Sequence, residues 1–85
     1  MDSRSLENVR AEALFVSDVQ RSDQLSSDQL RAAVLHIVRR YGSRHLAALV
    51  AAEFGEHPDT AQGRMSWALG VIRQAYPHEP QWAAA

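Results

Sequence analysis

The stretch VAAEFGEHPDTAQGRMSWAL, residues 50–69, decides how this chain is read. Around its start, Leu46, Val50 and Phe54 recur at steps of four, the spacing of one helix face. Gly55 supplies a stop. Pro58 stands where a first helical turn tolerates it, because its missing amide hydrogen would have no partner there. Asp59 suits the positive end of the new helix. Ala61, Met65, Leu69, Ile72 and Tyr76 give that helix its main apolar face, and Pro77 ends it. The spacing predicts helices over about 44–54 and 58–76, joined by a tight turn.

Upstream, Leu30, Ala33, Val34, Ile37, Val38 and Tyr41 form an unbroken helical stripe over about 27–41. Ser26 with Gln29 makes a capping box, Gly42 is a left-handed stop, and Ser43 is placed to cap the helix that follows. Leu6, Val9, Ala13, Val16 and Phe15 predict an amphipathic helix over about 5–20, capped by Ser3 or Ser5. The echo of Ser22-Asp-Gln-Leu in Ser27-Asp-Gln-Leu is too short for a structural repeat; the first copy is linker and the second opens a helix. Ala47, Ala48, Ala51 and Ala52 leave room for another helix to approach. Residues 77–85, with their prolines, are expected to be a flexible tail on which only Trp82 invites docking. The expectation is one all-α domain over residues 1–76. Its second to fourth helices form a trihelical core, and the first packs across it.

Composition narrows the function. At 85 residues there is room for one modest core, so homodimerisation is a natural route to stability. A net charge of −1 offers no overall attraction to nucleic acid, so binding there needs a local patch. All nine basic residues are arginine, which fits codon bias in a GC-rich bacterial genome and also suits phosphate contacts. Without cysteine there is no disulfide framework, thiolate metal site or cysteine nucleophile. Signal-peptide and membrane-span patterns are lacking, which makes a cytoplasmic protein the expectation. No two histidines have metal spacing on one helix, and no phosphate loop or carboxylate pair is set for catalysis. No cofactor or enzymatic activity is expected.

The 50–69 stretch resembles a helix-turn-helix. A small residue followed four positions later by the turn glycine is the family's mark, met by Ala51 and Gly55. Val50 and Phe54 supply the apolar residues before them, and Thr60-Ala61 is similar to the opening of a recognition helix. The resemblance covers about residues 27–76, departing at Glu56 and Arg64, where the pattern has apolar side chains. The whole chain also resembles small uncharacterised actinomycete proteins with an EFGEHPDTA-like turn; that resemblance brings no activity with it.

The helix-turn-helix resemblance implies duplex DNA as partner and transcription as the process. Thr60 would open the reading helix, Gln62 could pair with adenine and Arg64 could reach guanine or phosphate. Arg39, Arg40, Arg44 and Arg73 would touch the backbone. From residue 31 onward six arginines face four acids, whereas residues 1–30 carry three against six. The alternative is a protein-interaction or adaptor module. Trp67 and Val71 lie off the main stripe of the last helix, beside a small-residue seam of Gly63, Ser66 and Gly70. That face fits a regulatory protein or a second subunit, unless Trp67 is buried beneath the first helix.

Overall fold

The computed structural model describes residues 5–77, in which four helices pack together: α1 Leu6–Val16, α2 Ser27–Tyr41, α3 Ser43–Glu56 and α4 Pro58–Ala75. There is no strand among them. The expected tail beyond residue 77 and Trp82 lie outside the described residues.

The all-α expectation holds, and α1 takes the central place in the packing. It touches all three other helices, and Ala11, Ala13 and Leu14 are almost completely buried, with Val9 and Phe15 close behind. Leu6, expected on the core stripe, is 61% exposed, while Leu14, which that stripe omitted, is fully buried. A helix surrounded on most sides has no single inward stripe, so a one-face reading of it misplaces residues. The small Ala11 and Ala13 let neighbouring backbones come close.

The last helix shows the matching pattern. Its most buried residues are Ala61, Ala68, Ile72 and Ala75, with Met65 half-buried between them. These positions alternate by four and three, and three of the five are alanines. Leu69, expected at the centre of the stripe, sits at its margin. A second, smaller cluster joins Phe15, Val50 and Ala61, where the Phe15 and Phe54 rings stack with centroids 6.0 Å apart.

The ends of the elements explain their lengths. α1 stops at Val16, short of the expected residue 20. Ser17 turns extended, its hydroxyl donates to the Leu14 carbonyl at 2.6 Å, and the Val19 amide donates back to that hydroxyl. Ser5 caps its start. The Ser26/Gln29 capping box is present on α2. Gly42, at φ +79°, ends α2 and also opens α3, so Ser43 is the first residue of α3 and not its side-chain cap. A residue with a Cβ rarely takes that φ.

The second corner corrects the reading of the opening stretch. Gly55 does not end α3. It lies within the helix without a positive φ, and a Cβ added there would meet nothing within 4 Å. The break is His57 alone, at φ −137° and ψ 64°. Glu56 therefore occupies no turn or core position; it is the exposed last residue of α3.

Candidate functional site

Arg64, expected to reach outward from α4, points inward. Its Nε donates to the Phe15 carbonyl at 2.8 Å, and its Nη2 lies 3.2, 2.9 and 3.1 Å from the carbonyls of Leu14, Ser17 and Val19. These carbonyls belong to the end of α1 and the chain just beyond it, where an α-helix leaves acceptors unpaired and concentrates negative partial charge. α1 has no basic residue in its own last turn, so α4 supplies one. The guanidinium also lies 5.0 Å from the centroid of the Trp67 ring. Burial, and then the nearby Arg21, lower its pKa from the ordinary arginine value. Arg64 is therefore a clasp inside the fold, and its donors are committed away from any base edge.

Arg31 does the same at the other end of the bundle. It donates to the Ala75 carbonyl at 2.7 Å, capping α4, and pairs with Asp28 one turn away. Arg21 donates to the Gly63 carbonyl at 2.9 Å. Arg73 is ion-paired with Glu7 at 3.4 Å.

The remaining residues expected to contact DNA divide between two places. Thr60 and Gln62 are exposed near the head of α4, in the company of exposed Glu53, Glu56 and Asp59. Arg39, Arg40 and Arg44 are exposed around the α2–α3 corner with His36 and His45, and no ion pair engages those three arginines among the described residues. Arg40 lies 5.5 Å from the Tyr41 ring centroid, and the Tyr41 and His45 rings meet edge to face. Arg44 and Glu56 are twelve residues apart on one helix, about 18 Å at 1.5 Å per residue. The basic group and the head of α4 thus lie toward opposite ends of α3.

The expected protein-docking face on α4 is largely used within the chain. Trp67 and Val71 are half-buried against the main core. They line a cavity of about 210 Å³ with Val19, Leu25 and Leu30, so the α1–α2 linker lies over them. Gly70 is exposed, with open space where a Cβ would stand.

Comparison with protein-family models, curated proteins and solved structures finds no match to this chain. The molecule's own geometry must carry the functional reading.

That geometry singles out α3. Ala48, Ala51, Ala52 and Gly55 are all exposed, and with Arg44 and Glu56 they fall on one side of the helix at 100° per residue. The alanines suggested close helix approach in the sequence, yet within the monomer only Ala47 is half-buried. The charges of α3 are also reversed. α2 and α4 each carry an acid in the first turn and arginine in the last, as their dipoles favour. α3 has no acid in its first turn, where Arg44 stands, and no base in its last, which holds Glu53 and Glu56. Among the described residues no group of three potential metal ligands comes together, and no helix is long and apolar enough to cross a membrane.

Proposed function

We propose that this chain is a small non-enzymatic protein-interaction module of the bacterial cytoplasm whose docking surface is the open face of α3. The observation that carries the reading is the exposed run of Ala48, Ala51, Ala52 and Gly55. Small side chains leave the backbone accessible, so a partner helix can approach to about 8 Å between axes. The fold itself makes no use of this. Gly55 costs the helix about 0.5–1 kcal/mol relative to alanine, and no neighbour in the monomer requires its missing Cβ. A partner surface would account for both features.

Site-specific photocrosslinking in cells tests the reading. A crosslinker at Ala52 is expected to capture protein, while one at Gln62, on the polar face of α4, captures far less. Equal capture at the two positions, or none at Ala52, contradicts it.

A helix-turn-helix-like role on duplex DNA is a second reading, favoured by the exposed Arg39, Arg40 and Arg44, which no ion pair engages among the described residues. It is weakened by the commitment of Arg64 and by the acids at the head of α4, since affinity for DNA rests heavily on phosphate neutralisation. Fluorescence anisotropy with duplex DNA at low salt separates the two. Tight binding lost on replacing the three arginines by alanine would favour DNA.

A further inference from the structure

We propose that the partner of the α3 face is a second copy of the same chain, packed antiparallel through α3 about a twofold axis. This deepens and rests on the interaction reading above, and its ground is charge complementarity along the helix. The small-residue face runs from Arg44 to Glu56, with no acid in the first turn and no base in the last. Arg44 and Glu56, the charges at the two ends of this face, are both exposed. A parallel pair would set arginine on arginine and glutamate on glutamate. An antiparallel pair centred at the level of Val50 places Arg44 opposite Glu56 of the second copy, Ala48 opposite Ala52, and His45 opposite Gly55.

Twofold symmetry makes each of these contacts occur twice. The basic and acidic ends are separated by the same helix length in both copies, about 18 Å, so both ends match in one register. The alanines permit the close axis spacing, and Gly55 makes room for the imidazole of His45 opposite it. The reversal of charge that works against α3's own dipole becomes favourable when the opposing helix supplies the neutralising charge. The apolar seam supplies contact area and the terminal charges set direction, because like-charge juxtaposition penalises the wrong orientation.

Sedimentation equilibrium of the full chain over micromolar to millimolar concentration tests the proposal. The wild type is expected to reach twice the monomer mass. Arg44→Glu and Glu56→Arg, each alone, should weaken dimerisation about tenfold or more, as like charges costing upward of 1.4 kcal/mol would require. The double variant should regain most of the loss. Ala52→Glu, at an exposed position, should abolish the dimer while circular dichroism shows an unchanged helical fold.

A monomer at every concentration overturns the proposal, as does a dimer indifferent to Ala52→Glu or a double variant that fails to recover. If the protein is monomeric but a crosslinker at Ala52 still captures another protein, the second-copy proposal fails and the interaction reading stands. Loss of all capture at Ala52 removes both.

Discussion

A single arginine can hold a small bundle together when its donors are spent on the end of a neighbouring helix. Arg64 satisfies four carbonyls near the close of α1 and lies against Trp67. Hydrogen bonds from a charged donor contribute about 1.5–3 kcal/mol each at most, and partly exposed carbonyls can recover some of this from water. Arg64→Met should therefore cost about 2–3 kcal/mol in urea denaturation, with Arg64→Lys recovering only part because a point charge cannot reach several acceptors in a plane. An unchanged urea midpoint for Arg64→Met would show that the clasp contributes nothing. Tyr76 offers a pH-dependent counterpart. Burial raises its pKa, while Arg10, 3.9 Å from the ring centroid, and then Arg31 pull it back in part. The folded state thus prefers the neutral phenol. This contribution is fully present below the unfolded pKa of about 10 and is lost as pH rises through the higher folded value. Tyr76→Phe should flatten the alkaline loss of stability, measured by denaturation at a series of pH values; an unaltered alkaline slope would exclude Tyr76 as its source.

At the scale of the element, α3 carries charges set against its own dipole and a glycine that its packing in the monomer does not require. Gly55 is helical with open space around its absent Cβ, so Gly55→Ala should stabilise the dilute monomer by about 0.5–1 kcal/mol. Arg44→Glu removes a charge placed against the dipole and should add a few tenths of a kcal/mol in the same dilute thermal melt. Destabilisation by both would mean that α3 is tuned to the monomer after all. The elements were largely legible in the sequence where local chemistry controls them. The Ser26/Gln29 box, Gly42 and Pro58 mark their helix ends correctly because each acts on its own backbone. Gly55 misled because a glycine can stop a helix or sit within it, and only the surrounding packing decides. The exit of α1 at Val16 was similarly hidden, since it depends on Ser17 and on an arginine 47 residues further along.

For the whole molecule, the same distinction separates the visible parts of the candidate site from the hidden ones. The arginines of the C-terminal half were apparent as a charge excess. Their division into internal caps at Arg31 and Arg64, an ion pair at Arg73 and an exposed group at Arg39, Arg40 and Arg44 that no ion pair engages among the described residues is a product of tertiary packing. The signal for α4's true inner face was present at Ala61, Met65, Ala68, Ile72 and Ala75, but alanine is too common in this chain to stand out. The open small-residue face of α3, with opposite charges at its two ends, is the surface proposed for an oriented partner. The most direct test of the central claim uses the fact that the chain has no cysteine. Ala51→Cys places one thiol beside the proposed twofold axis, and Ser66→Cys places one on the exposed face of α4. Under mild oxidation Ala51→Cys should form a covalent dimer much faster than Ser66→Cys, while equal rates, or faster crosslinking at Ser66→Cys, would contradict an antiparallel α3 interface.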